Sequence, residues 1–295
     1  MRPSLALSLR LFALVASATC GLAPAMAGEM ATGRIQIEYV PPQNPKHQAI
    51  YALLKERRVL EKVQETFGAF ELPRDVTVRT TGCDGVSNCW FQEIDGRPTV
   101  TLCYEYLQEV WDTLPKQVSA EGITPTDALA GQFFFAVAHE FGHLSFSVYH
   151  VPLFGHEENA ADNFAAFIML QFHEEALRLI GGAAWSYQAF IKYDKDHPSA
   201  KIPLAAFSSN HGQPEERYYS LLCIAYGSDE KRYALLVDKG YLTKTRARDC
   251  KYEFDGLHYG FHDQIVPHID KKLVSKAMET DWLTLAPPQS KQGLR

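Results

Sequence analysis

Hydrophobic and polar positions follow two rhythms along this chain. Between His47 and about Phe67, the residues Ile50, Leu53, Leu54, Leu60, Val63 and Phe67 recur at three- and four-residue intervals with charges between them. That spacing predicts a helix. The stretch VTVRT at 76–80 alternates instead and predicts a strand, and two further strands at about 88–94 and 98–104 flank Asp95-Gly96 as a β-hairpin. Downstream the helical rhythm returns. Thr124-Pro125-Thr126-Asp127 supplies a capping hydroxyl, a proline at the first helical position and an acid at the third. The helix it opens should reach about His150, where Pro152 and Gly155 break it. A second helix is expected from about His156 to Ile180, stopped by Gly181-Gly182. The C-terminal third reads as mostly helical, with a loop around 208–216 and a disordered tail at 286–295. Strands early and helices late predict an α+β fold: a small N-terminal sheet with helices, then a mainly helical C-terminal subdomain.

The first 27 residues stand apart from this pattern. Arg2 and Arg10 precede the apolar run LFALVASAT, and Ala25-Met26-Ala27 offers an A-x-A cleavage site. This is the layout of a secretory signal peptide, which predicts a periplasmic or secreted protein with one domain over 28–285. Setting aside Arg2 and Arg10 leaves 27 basic residues against 35 acidic ones. No basic cluster survives to gather phosphates, so nucleic acid is not an expected partner. No other segment has the apolar length of a membrane span. Export changes the reading of the cysteines, because an oxidising compartment allows disulfides. Cys223 and Cys250 are expected to pair, and Cys83 to pair with Cys103, leaving Cys89 free. A three-residue hairpin turn would instead set Cys89 opposite Cys103.

Residues 133–150 read FFFAVAHEFGHLSFSVYH. On a helical wheel Phe134, Val137, Phe141, Leu144 and Val148 share one face, while His139 and His143 lie roughly opposite with Glu140 beside them. Such a helix would bury one face and present the other. Histidines at i and i+4 can hold one ion, and the glutamate after the first can act as general base. A site that does chemistry usually has three protein ligands and one open position. The candidates for the third are His150, His156, Glu157 and Glu158. A metzincin layout is excluded, because Tyr149 stands where its third histidine falls and Phe146 where it needs glycine. Glu158 is favoured, since Asp162 follows on the same helical face and can accept a hydrogen bond from the far nitrogen of a ligating histidine. Glu157 has Ala161 at the equivalent place and lacks that support.

HEFGH followed by ENAAD resembles the HExxH…ExxxD signature of the gluzincin metallopeptidases, the group that includes thermolysin and the HtpX-type and CAAX-prenyl proteases. Ser87-Asn88-Cys89-Trp90 is similar to the Asn-Ala-aromatic edge strand on which such peptidases lay their substrate. Asn210-His211 with Glu216-Arg217 resembles the His…Glu-Arg segment of the HtpX-type enzymes. Residues from about 35 to 270 look like a bacterial metallopeptidase family of unknown substrate. The resemblance implies a zincin-like fold, hydrolysis of a peptide or protein substrate, and substrate-binding roles for Asn88, Cys89 and Trp90.

One Zn²⁺ per chain is thus expected on His139, His143 and Glu158, with Asp162 supporting a ligand histidine and Glu140 as the base. His211 is the expected donor to the oxyanion, and Arg217 either assists it or pairs with Glu216. Gly142, costly in a helix by about 1 kcal/mol relative to Ala, suggests close approach of a neighbouring segment. His258, His262 and His268 read as structural or surface residues. The alternative to an enzyme is a zinc-holding protein without turnover, against which Glu140 argues. The oligomeric state is left open.

Overall fold

The computed structural model describes residues 33–114, 116–196 and 211–283. The expected signal peptide at 1–27, the tail at 286–295 and residues 208–210 of the 208–216 loop lie outside the described residues. The sheet has four strands: β1 (Ile35–Tyr39), β2 (Val76–Thr81), β3 (Cys89–Ile94) and β4 (Arg97–Cys103), in the order β1-β2-β4-β3. β1, β2 and β4 run parallel, and β3 is an antiparallel edge strand. β1 is an element the hydrophobic pattern left unassigned, although IQIEY alternates: Ile35 is buried while Gln36 and Glu38 are exposed. The β3–β4 hairpin closes on Asp95 and Gly96, both at positive φ (50° and 73°). This two-residue turn suits the right-handed twist of the strands. It places Cys89 opposite Leu102 and not opposite Cys103.

The helix expected over 47–67 is two helices, α1 (Gln48–Glu56) and α2 (Val59–Phe67). Arg58 between them adopts a left-handed conformation at φ 52°. The Tyr39 hydroxyl enters the break, accepting from the Leu60 N–H at 2.9 Å and donating to Glu61 Oε2 at 2.7 Å. An N–H orphaned at a helix start is thereby satisfied from the neighbouring strand. A further helix, α3 (Tyr104–Thr113), follows β4 directly. Its Glu105 accepts from the Cys83 and Gly85 N–H groups at 3.0 and 3.1 Å. With the Cys83–Cys103 disulfide, this pins the loop that leads into β3.

α4 (Pro125–Tyr149) starts where expected. Thr124 Oγ1 accepts from the Asp127 N–H and Asp127 Oδ2 from the Thr124 N–H, a reciprocal cap. The expectation of one buried and one displayed face is corrected. From Gly131 to Gly142 every residue of α4 is buried, because the face opposite Phe134 and Phe141 is covered as well. α5, α6, β3 and β4 all pack against this helix.

The helix expected over 156–180 is also corrected. α5 (Glu157–Leu170) ends ten residues earlier, and α6 (His173–Asp196) restarts at His173, φ 44°. Gly181 and Gly182 lie inside α6 and stop nothing. Their role is packing: a Cβ on Gly182 would lie 2.2 Å from the Asp127 carbonyl oxygen, and one on Gly131 2.5 Å from that of Leu179. Two glycines let the backbones of α4 and α6 touch, and Ser186 Oγ donates across to the Ala128 carbonyl at 3.0 Å. The C-terminal part continues with α7 (Pro214–Ser228), a single turn at Leu235–Asp238, α8 (Lys244–Gln264) and α9 (Lys271–Met278). Cys223 on α7 is bonded to Cys250 on α8, and Cys89 is a buried free thiol. Among the described residues no helix is long and apolar enough to cross a membrane.

Candidate metal centre

His139 and His143 stand one turn apart on α4, their ring centroids 4.8 Å apart. What faces them is set by Gly142. A Cβ there would meet Ala161 Cα at 3.1 Å, so α5 crosses α4 at close range. The first turns of α5 thereby bring three carboxylates to the two rings. Glu158 Oε2 is 3.0 Å from His139 Nε2 and 3.3 Å from His143 Nε2, and the two Nε2 atoms are 3.1 Å apart. Asp162 Oδ1 is 2.7 Å from His139 Nδ1. Glu157 Oε1 is 2.8 Å from His143 Nδ1.

An ionised carboxylate only accepts, so Asp162 and Glu157 each hold a proton on the Nδ1 that they face. Both Nε2 atoms face Glu158, which draws a second proton onto the rings when no metal is bound. With those inner protons displaced, two nitrogen lone pairs and the Glu158 oxygen converge on one point, an arrangement that repels itself unless a cation sits between. A tetrahedral zinc site with bonds of about 2.0–2.1 Å has ligand–ligand edges of roughly 3.3–3.4 Å. The three separations here, 3.0, 3.1 and 3.3 Å, lie at or a few tenths of an ångström below that size. The electrostatics agree. Burial alone would lower His143, but its hydrogen bonds to Glu158 and Glu157 outweigh burial and push it up to about 9. His139 is raised on the same balance, through Asp162 and Glu158. Glu158 is driven far below the carboxylate range by the three imidazoles around it, against the opposing effect of burial.

Arg217 on α7 forms a fork on Asp162, Nε to Oδ2 at 2.8 Å and Nη2 to Oδ1 at 2.6 Å. Its guanidinium lies over the Phe135 and Tyr187 rings, 5.6 and 5.5 Å from their centroids. Burial would raise Asp162, yet the Arg217 charge and the His139 bond hold it down at about 2. Pairing of Arg217 with Glu216 is not what the structure shows. Glu216 caps its own helix, accepting from the Gln213 N–H at 3.0 Å. His211 Nε2 approaches Glu158 Oε2 at 3.0 Å, and its ring stacks near that of His139 with centroids 6.0 Å apart. Glu157 and Arg217 make contacts that the sequence pattern did not assign, as does His211 with Glu158. The first two reach their partners from another helix, where no periodicity links them.

Glu140 is 5 % exposed, and burial raises its carboxyl above the usual range. The two histidines and a backbone hydrogen bond from Phe91 act in the opposite direction. That bond ties the glutamate to β3. The Cys103 N–H donates to the Asn88 carbonyl, which sets the phase of the hairpin. Antiparallel alternation then points the main-chain groups of Cys89 and Phe91 away from β4, along the free edge. Asn88 itself is exposed just before β3, and the Cys89 side chain is buried. Burial, then the nearby Glu140 charge, raises the Cys89 thiol. Trp90 is half-buried on the opposite face of the strand, and its Nε1 makes no hydrogen bond among the described residues. His150 and His156 are exposed and outside the cluster, while Tyr149 stacks on His268 with centroids 4.0 Å apart.

A model of the family described as "Putative metallopeptidase" matches residues 39–263, a span that holds every residue of this centre. No curated protein and no solved structure matches the chain.

Proposed function

The chain belongs to this metallopeptidase family, and from that membership and the geometry of the centre we infer a zinc-dependent peptidase of the gluzincin type on a zincin-like fold. One observation carries the reading: three lone-pair donors meet at 3.0–3.3 Å while both outer imidazole nitrogens are tied to carboxylates. His139 Nε2, His143 Nε2 and Glu158 would hold the ion. Zinc bound by three such ligands supplies a Lewis acid and brings a water in the open position to a pKa of about 7.

The chain's own residues account for the rest. Glu140, buried and adjacent to a ligand, takes a proton from the attacking water and delivers it to the leaving amine. Its raised affinity for protons suits a group that must accept one and give it back. The His211 ring N–H donates to the carbonyl oxygen as negative charge develops there. An extended peptide adds to the free edge of β3, pairing with the main chain of Cys89 and with the Phe91 carbonyl, whose N–H is taken by Glu140, with Asn88 fixing its register and Trp90 stiffening the strand from the other face. The substrate is thus a peptide or an unfolded stretch of protein. The signal-peptide pattern and the two disulfides support a periplasmic or secreted setting.

The test is Glu140→Gln. Against a proteome-derived peptide library, wild-type protein should create new termini that a chelator abolishes. The variant should keep its zinc and lose ~10²–10⁴-fold in rate. Full activity in the variant would remove Glu140 from the chemistry.

A further inference from the structure

A cavity of about 480 Å³, lined by none of the candidate metal ligands, opens between α2, α5, α8 and α9. Its volume is in the range of pockets that enclose small ligands, about 300–1,000 Å³. Phe70, Phe167, Phe254, Phe261 and Val274 form its walls. Its internal polar groups are already used. Thr66 Oγ1 accepts from Trp282 Nε1 at 3.1 Å, and Gln171 Nε2 donates to the Phe167 carbonyl at 2.9 Å. What remains is at the mouth: His258, His262 and Lys271, all exposed. No aspartate or glutamate lines the cavity, in a chain with formal net charge −6. The neighbouring Asp270 is engaged as the cap of α9, accepting from the Lys272 N–H at 2.8 Å. The imidazoles are held in place by ring contacts, His258 against Phe167 and Phe254 at 5.9 Å and against His262 at 5.0 Å between centroids.

We propose that this cavity binds a single-chain amphiphile with a carboxylate head, the alkyl chain inside and the carboxylate at His258, His262 and Lys271. The polar groups at the mouth select an anion, since Lys271, His258 and His262 are donors lining the cavity and no acid is among its lining residues. The walls select the chain. They are built mainly of helices, whose main-chain groups are bonded internally, so a peptide threaded inside would leave its own N–H and C=O groups without partners. An alkyl chain has none to satisfy.

Dodecanoate and dodecanol, titrated into zinc-loaded full-length protein, separate head from tail. The expected result is one dodecanoate per chain, with dodecanol at least ~10-fold weaker, as for the loss of about 1.4 kcal/mol of charge-assisted contact. Lys271→Ala combined with His262→Ala should weaken dodecanoate ~10-fold and leave dodecanol unchanged. Val274→Trp, which fills the cavity, should abolish binding of both at unchanged zinc content. Ala277→Leu, a smaller intrusion into the same space, should weaken both and serves if the tryptophan variant does not fold. Absence of saturable binding, equal affinity for the two probes, or wild-type binding by the cavity-filling variants would overturn the proposal. A gain of ~10-fold or more on removing residues 284–295 would also overturn it, by making the chain's own tail the occupant.

Discussion

The two candidate ligand histidines lean on carboxylates of very different burial. The Asp162 side chain is 9 % exposed and clamped by the Arg217 fork, whereas that of Glu157 is 54 % exposed. A hydrogen bond in a low-dielectric site orients its partner more strongly than one in contact with water. Asp162→Ala should therefore weaken zinc ~10–100-fold, and Glu157→Ala less, toward the lower end of that range. Competition with a chromogenic chelator measures both, and the reverse order would contradict the assignment. The pair also shows what sequence makes legible at this scale. His139, Glu140, His143, Glu158 and Asp162 are read from spacing because each pair lies on one helix at i, i+1 or i+4. Glu157 reaches His143 only because the 151–156 loop sets the start of α5. Arg217 meets Asp162 across 55 positions, a separation that no local rhythm encodes.

Among the elements, glycine decides how closely the helices approach the centre. Gly142 admits α5 to α4, and Gly131 with Gly182 admits α6. A methyl group on Gly182 would meet main-chain atoms of Asp127 and not a side chain that could turn away. Gly182→Ala should thus destabilise by ~1–3 kcal/mol despite the better helix propensity of alanine. Denaturant unfolding checks this, and a variant as stable as wild type would mean that α4 and α6 do not touch there. The same glycines explain a misread boundary. A Gly-Gly pair after an apolar run looks like a helix stop, and only the packing partner reveals it as a contact. β1 and α3 were left unassigned although IQIEY alternates as VTVRT does; the parallel pairing of β1 with β2, across 41 positions, is what makes it a strand, and no local rhythm shows that pairing. The hairpin and the start of α4 followed from local chemistry, in which cap and turn point one way, and the expected Cys223–Cys250 bond is present; the partner of Cys103 depended on the turn length, and the two-residue turn leaves it to Cys83.

For the molecule as a whole, the centre is a buried charge cluster whose stability depends on what neutralises it. Without metal the imidazoles must hold protons. His143 is raised in the folded state to about 9 from an ordinary 6.5. Its contribution to stability is fully present below pH 6.5 and is lost as pH rises through 9. Zinc on the neutral rings would replace that contribution, so the difference in melting temperature between zinc-loaded and chelated protein should widen from about pH 6.5 to about pH 9. A pH-independent difference would mean that the histidines do not carry the coupling. The central claim, that His139, His143 and Glu158 hold one zinc ion for catalysis, is tested most directly by metal analysis of purified, dialysed protein. The account predicts one zinc per chain in wild type and in Glu140→Gln, and almost none in His139→Ala, His143→Ala or Glu158→Ala. Wild-type protein without zinc, or a Glu158→Ala variant that retains it as tightly as wild type, would contradict it.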